Sequence, residues 1–188
     1  MTTTLQELLP RLSIVNVVAT AEINQKVDLV KVGNHHAGLY NEHTYRGRVA
    51  YIKSLRMKGK VAVFSNGKLI SVGSKSEKEA KSDIFEACAV LAECGIRIPQ
   101  SLEVSVQNIV ATGELRKTIE IEKLGSRLPN VLYEPEQFPG AVYYPAELEG
   151  ASVLIFVSGK VVFAGLRSPQ LFQAARLVLR NLGRLAFE

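Results

Sequence analysis

Alternation of apolar and polar side chains is the clearest pattern along the first half of the chain. From Ile14 to Thr20, Val15, Val17 and Ala19 fall on one side of an extended strand and Asn16, Val18 and Thr20 on the other. The run from Val61 to Phe64 sets Val61 and Val63 against Ala62 and Phe64, and the next sets Leu69 and Ser71 against Ile70 and Val72. Between these runs Asn66-Gly67 is a hairpin signal that suits a type I′ turn. The period then changes. Ser76 with Glu79 forms a capping box, and Ile84, Ala87, Cys88 and Leu91 recur at helical spacing. A short helical stretch is expected near Asp28 to Gly33.

The same order is then written again. VFSNGKLISVGSKS, Val63 to Ser76, is echoed by IFVSGKVVFAGLRS, Ile155 to Ser168, so that Phe64 and Phe156 stand 92 residues apart. IVNVVATAEI, Ile14 to Ile23, is echoed by VQNIVATGEL, Val106 to Leu115, with Asn16 and Asn108 at the same offset. Two separated motifs with one displacement imply duplication of a whole unit. The second copy is expected to carry a strand at Val106 to Thr112 and a short helical stretch near Ile119 to Leu128. Ser158-Gly159 marks its hairpin. Ser168 would cap its closing helix, Pro169 takes the first helical position, and Phe172, Ala175, Leu179 and Leu182 make the apolar face. One extra residue is expected in the second copy around Phe138. The expected domains are an N-terminal segment, 1–13, a first repeat, 14–97, a linker with Pro99, 98–105, and a second repeat, 106–188. The short link favours one two-lobed body.

The sheet of each copy has two apolar faces and too few helices to cover both. Val18, Phe64, Ile70 and Val72, with echoes Val110, Phe156, Val162 and Ala164, are left on the uncovered side, where an antiparallel sheet normally turns polar. A contiguous exposed apolar face marks a binding surface. This one carries an asparagine in each lobe, with Lys68 and Lys160 at strand starts. It suits a ligand with an apolar floor and charged edges, and the DNA minor groove is such a ligand.

Charge strengthens that expectation. The chain of 188 residues has net charge +5. Up to Arg97 there are 14 Lys/Arg against 9 Asp/Glu, and afterwards 9 against 9. A basic half favours a polyanionic partner. Other chemistries find little purchase. Cys88 and Cys94 match no metal or redox spacing and are expected to be buried free thiols. His35, His36 and His43 lack further ligands at useful spacing and are expected in a solvated loop. No Ser/His/Asp arrangement or phosphate-binding glycine loop occurs, so neither catalysis nor a metal or other cofactor is expected. No apolar run of membrane-spanning length appears, and Met1 to Ser13 does not read as a signal peptide, so no membrane partner is expected.

The motifs VQNIVAT, YEPEQFPG (Tyr133 to Gly140) and LIFVSGK (Leu154 to Lys160) resemble those of the TATA-box-binding protein family, and the resemblance runs from about Ile14 to Gly183. It implies an α+β fold of two tandem repeats, a pseudo-twofold saddle of curved antiparallel sheet with helices on the convex face. It implies a general transcription initiation factor that bends A·T-rich promoter DNA through the minor groove. The aromatic pairs that the family inserts between base steps map onto Tyr45 with Phe64, and Phe138 with Phe156. Base contacts map onto Asn16, Val18, Ile70, Val72, Asn108, Val110, Leu154, Val162 and Ala164. Phosphate contacts map onto Lys68, Lys75, Lys160 and Arg167. Contacts to transcription factor B, which brings RNA polymerase indirectly, map onto Glu134, Glu136 and Gln137. The lack of a long low-complexity N-terminal extension looks archaeal, implying a cytoplasmic, nucleoid-associated protein; a eukaryotic one would be nuclear. A homodimer without DNA is plausible because the apolar face would otherwise meet water.

The first lobe departs from the family. Its loop reads YNEHTYRGR, Tyr40 to Arg48, with a tyrosine at an insertion position. YIKSLRMKGK, Tyr51 to Lys60, is basic and two residues longer than its family counterpart. Arg46, Arg48, Lys53, Arg56, Lys58 and Lys60 are therefore candidates for extra phosphate attraction. Val72 and Ala164 stand where the family has threonines. The alternative function is a divergent paralogue acting as a protein-interaction module with weak DNA binding.

Overall fold

The computed structural model describes residues 12–115 and 118–185. Of the expected N-terminal segment, residues 1–11 lie outside the described residues. In the first repeat the elements are β1 (Ser13–Glu22), α1 (Leu29–Gly33), β2 (Gly38–Tyr40), β3 (Val49–Ile52), β4 (Lys60–Phe64), β5 (Lys68–Ser74) and α2 (Glu77–Glu93). In the second they are β6 (Ser105–Glu114), a 3-10 turn (Ile121–Lys123) leading into α3 (Leu124–Arg127), β7 (Val131–Leu132), β8 (Gly140–Tyr143), β9 (Ser152–Phe156), β10 (Lys160–Leu166) and α4 (Pro169–Leu185). The strand order is β2-β3-β4-β5-β1 in the first repeat and β6-β10-β9-β8-β7 in the second. The described residues divide into two compact units, one from Val15 to Asn108 and one of Ile109 to Leu185 with residues 12–14.

The elements form where local chemistry favours them. Asp28 caps α1, accepting from the N–H groups of Val30 and Lys31. Ser76 Oγ accepts from Glu79 N–H at 3.2 Å, and Glu79 reaches back to the N–H of Lys75 at 2.9 Å, one residue beyond the usual partner of a capping box. Pro169 opens α4, and the Ser168 carbonyl accepts its first bond from Phe172. Each long helix covers one face of its own sheet: α2 packs on β5 and β4, and α4 on β10. Ile84, Ala87, Cys88 and Leu91 are buried there, as are Ala175, Leu179 and Leu182.

The hairpin tips repeat to the hydrogen bond. Ile23 and Val27 donate to the carbonyls of Gly67 and Ser65, and Leu115 and Ile119 donate to those of Gly159 and Val157. The turn itself differs from the type I′ expectation. Three residues separate β4 from β5, and Gly67 has φ +93 while Asn66 does not take a positive φ. Asn66 instead turns its side chain back to accept from Lys68 N–H at 3.1 Å. That is the longer hairpin loop closed by one left-handed glycine.

Both β5 and β10 carry a bulge. Ala19 pairs with Ser71 but Val17 with Ser74, and Ala111 pairs with Phe163 but Ile109 with Leu166. Each strand thus holds one extra residue, which bends it and strengthens its twist. Gly73 (φ +96) and Gly165 (φ +89) supply the backbone conformation that the bulges require.

One core position is solved differently in the two repeats. Asp83 on α2 is 2% exposed. Its carboxylate accepts from the N–H groups of Lys58 (2.9 Å) and Gly59 (2.7 Å) and from Ser74 Oγ (2.6 Å). The positions 92 residues later, Ala151, Leu166 and Ala175, are buried and apolar. The first repeat joins helix, loop and sheet with a satisfied carboxylate, and the second uses packing alone. Ser71 Oγ is the opposite case, buried without a hydrogen-bond partner.

Asp83→Ala should lower unfolding free energy by about 2–5 kcal/mol, because three donors lose their acceptor. Ser71→Ala should be neutral or stabilising by about 1 kcal/mol, since it removes an unsatisfied hydroxyl. Chemical denaturation of both variants checks this; equal losses would contradict the two assignments.

Candidate nucleic-acid interface

The face opposite the helices is built by strand alternation. In the first repeat Asn16, Val18 and Thr20 of β1, Ile70 and Val72 of β5, and Phe64 of β4 are half-buried, while their neighbours Val17, Ala19, Leu69, Ser71 and Val63 are buried toward the helix. In the second repeat Asn108, Val110 and Thr112 of β6, Val162 and Ala164 of β10, and Leu154 and Phe156 of β9 lie on the corresponding face. Register aligns them in rows. Thr20 pairs with Ile70, Ile70 with Ala62 and Ala62 with Tyr51. Thr112 pairs with Val162, Val162 with Leu154 and Leu154 with Val142. Thr20 and Thr112 place a hydroxyl at one end of each row. Their shared offset and place in the alternation could have marked them as site residues beside the asparagines.

Asn16 is tied to the bulge. Its Oδ1 accepts from Gly73 N–H at 2.8 Å, which orients the amide and leaves its NH₂ as the remaining donor. Asn108 holds the equivalent place on β6. Around the face, Lys68 is half-buried and Lys75, Lys160 and Arg167 are exposed. None of these four takes part in an ion pair among the described residues.

The aromatic positions differ between repeats. Phe138 and Phe156 meet edge to face, with ring centroids 5.7 Å apart at 63°. Gly140, paired with Phe156, makes room: a Cβ there would lie 2.9 Å from Phe138 Cε1 and 3.2 Å from Phe156 Cδ1. In the first repeat Val49 pairs with Phe64 in that place. The residue two before it, equivalent to Phe138, is Gly47 rather than Tyr45. Tyr45 is 66% exposed and makes no ring contact with Phe64 among the described residues. The Tyr51 phenol is held above its ordinary pKa by burial first and by the neighbouring Tyr45 hydroxyl second. Lys60 Nζ lies 4.7 Å from the centre of the Tyr51 ring.

Strand register also relocates the insertions. The β2–β3 connection is Asn41 to Arg48, against Tyr133 to Pro139 between β7 and β8 with one residue fewer, and β7 is itself shorter than β2. An extra residue of the second repeat falls between β8 and β9, not around Phe138. Lys53 is not a free cation. Its Nζ donates to the carbonyls of Met57 (2.7 Å), Lys58 (3.0 Å) and Gly59 (2.5 Å), closing that loop.

Glu134, Glu136 and Gln137 are exposed on the loop before β8. The Glu134 carbonyl accepts from the N–H groups of Gln137 and Phe138, both at 2.9 Å, so one oxygen sets the turn that presents all three side chains.

The remaining chemistry-bearing residues are structural. Burial pushes the Cys88 thiol up to about 11. Cys94 is only half-buried, contrary to expectation, and its thiol faces the Lys31 carbonyl at 3.7 Å. His35 is also half-buried rather than solvated. Its Nδ1 accepts from Ala37 N–H at 3.1 Å, so Nε2 is the donor to Glu93 at 2.9 Å. Among the described residues no group of three His, Cys, Asp or Glu is placed to hold a metal, and no helix is long and apolar enough to cross a membrane.

A duplicated antiparallel sheet, each copy backed by its own helix and open on its other face, defines a two-repeat fold seen in DNA-associated factors of transcription. The family described as transcription factor TFIID, or TATA-binding protein, matches residues 11–94 and 103–185. The chain belongs to that family. It is 38% identical over 156 residues to the TATA-box-binding protein of Cenarchaeum symbiosum, covering 83% of this chain and 85% of the relative. It is 36% identical over 163 residues to that of Archaeoglobus fulgidus, covering 85% and 87%. The solved structure of Methanococcus jannaschii TBP superposes with a TM-score of 0.77 at 30% identity, covering 93% of this chain and 99% of that one.

Tyr45→Phe should move the Tyr51 pKa back toward its ordinary value without restoring it, because burial is the larger cause. The raised Tyr51 pKa favours the neutral phenol in the folded protein, so stability falls as pH rises from the unfolded value through the folded one. NMR titration of ring-labelled tyrosine reads the shift; an unchanged Tyr51 would place the two hydroxyls apart.

Proposed function

We propose that this protein is a general transcription initiation factor that binds A·T-rich, TATA-box promoter DNA in the minor groove and bends it. The observation that carries the reading is the same half-buried apolar face in both repeats, with an asparagine on each and cations around it. Val18, Ile70, Val72, Val110, Leu154, Val162 and Ala164 suit the groove floor. A guanine amino group would meet apolar surface there and lose its hydrogen bonds, which favours A·T pairs. The NH₂ of Asn16, with Asn108 in the equivalent place, matches the acceptors on adenine N3 and thymine O2. Lys68, Lys75, Lys160 and Arg167 are assigned to phosphates, where they position the protein without reading sequence. Phe64, Phe138 and Phe156, with Tyr45 nearby, are the candidates for contact with base steps.

The presented loop of Glu134, Glu136 and Gln137 is assigned to transcription factor B, which would bring RNA polymerase in turn. The protein would act on DNA without catalysis. In an archaeal cell that places it at the nucleoid in the cytoplasm, and in a eukaryotic one in the nucleus. Without DNA, two copies would cover their apolar faces against each other. The changed aromatic site of the first repeat favours one second reading, a paralogue that keeps partner contacts and binds DNA weakly.

Affinity for an A·T-rich duplex measured against a G·C-rich one, over a range of salt, separates these readings. The expected result is A·T preference with a steep salt slope. Lys160→Gln should reduce that slope by about 0.9, because one phosphate fewer is neutralised. Lys53→Gln should leave the slope unchanged while lowering thermal stability, because its three acceptors are carbonyls of its own loop. Equal weak binding to both duplexes, with factor B still bound, would favour the paralogue.

A further inference from the structure

We propose that the two repeats grip the duplex unequally: the second carries the aromatic wedge that opens a base step, and the first does not. This rests on the minor-groove reading above. The difference lies in two register-equivalent pairs of positions. In the second repeat Phe138 leans on Phe156, and Gly140 leaves the space that both rings occupy. In the first, the Phe138 position is Gly47 and the Gly140 position is Val49, whose branched side chain replaces the bare glycine in the pairing with Phe64. Among the described residues no second ring supports Phe64 there.

Tyr45 does not replace the missing ring. It sits two residues away on left-handed backbone (φ 50, ψ 34), followed by Arg46 in the same conformation (φ 55, ψ 36). Two consecutive non-glycine residues in that region are strained, so the turn is held by something that offsets it. The Tyr45 carbonyl accepting from Arg48 N–H at 3.3 Å and the Tyr40 hydroxyl donating to the Gly47 carbonyl at 3.2 Å are such contacts. Entering a base step would strand the Tyr45 phenol hydroxyl between apolar surfaces. The Tyr45–Tyr51–Lys60 cluster therefore suits the edge of the groove, where hydroxyls and an ammonium can meet sugar and phosphate.

An unequal grip has a consequence for recognition. A wedge unstacks a step at a cost that is lowest at flexible pyrimidine–purine steps; this family is itself a type example of the device. With one wedge, only one end of the site bears that cost. The preferred site then contains a flexible step at one end, and its asymmetry orients the protein.

The test uses an A·T-rich duplex with 2-aminopurine at both ends of the site, where unstacking raises fluorescence. Wild type is compared with Phe138→Ala, Gly140→Val, Tyr45→Ala and Phe64→Ala, with thermal melts to confirm folding. Phe138→Ala is expected to abolish the rise and weaken binding about tenfold, the loss of one stacking aromatic. Gly140→Val should abolish the rise by displacing the rings, and Phe138→Ala carries the test alone if that variant fails to fold. Tyr45→Ala and Phe64→Ala should retain the rise even where affinity drops. Loss of half the rise in Tyr45→Ala or Phe64→Ala, matching the loss in Phe138→Ala, would overturn the unequal grip and leave minor-groove binding intact. Absence of A·T-selective binding in the wild type would overturn both.

Discussion

Each repeat has five strands and one long helix, and that shortage of cover governs everything else in the molecule. A pleated strand sends alternate side chains to opposite faces. Leu69 and Val17 can be buried only if Ile70 and Val18 are sent the other way. Were those positions polar, the sheet would need nothing more. They are apolar, so burial on the helix side leaves a second face whose exposure costs free energy at about 25 cal/mol per Å² until something covers it. The bulges at Gly73 and Gly165 sharpen the effect. They bend β5 and β10 next to β1 and β6, and at Gly73 the freed N–H fixes the central asparagine. Fold and site are thus made by the same few residues.

The two repeats show how far chemistry can diverge on one backbone. Asp83, Ser74 and Gly59 form a buried polar knot where Ala175, Leu166 and Ala151 simply pack. Neither solution is inherently better. A buried carboxylate with three donors is satisfied, and a close-packed apolar cluster of similar size is often as stable. The aromatic positions diverge the same way, Phe138 and Gly140 in one repeat against Gly47 and Val49 in the other. In the core such drift is silent, because only stability is at stake. On the open face it changes what the surface can do to a ligand.

Much of this was legible in the sequence, and the failures have physical causes. Alternation put the right residues on each face from Val15 to Val72, because period-two patterning is local. The repeat offset carried that reading into the second half. The loops were harder. Tyr45 aligned with Phe138 by residue type, yet strand pairing makes Gly47 the equivalent, and only long-range register reveals where an insertion lies. Lys53 read as a free cation because sequence does not show that a loop folds its carbonyls around an ammonium. Asp83 left a signal that went unused. Ala80, Asp83, Ile84 and Ala87 share one helical face, and an acid within an apolar stripe needs donors. Two of those donors lie 24 and 25 residues away, beyond what local pattern can supply.

Charge and shape divide the work of binding in a way that bears on the basic first repeat. Its excess of lysine and arginine is not all available at the surface. Lys53 is consumed by its loop, and Lys60 lies over an aromatic ring. Those cations stabilise the segment around Tyr51 and only then contribute field. An electrostatic surface built this way attracts a polyanion over a Debye length of about 10 Å without dictating its register. The groups held in fixed places are the asparagine clamped by a bulge and the two rings that meet beside Gly140. The first repeat thus pairs surplus charge with one clamped amide, and the second sets two rings beside a bare glycine.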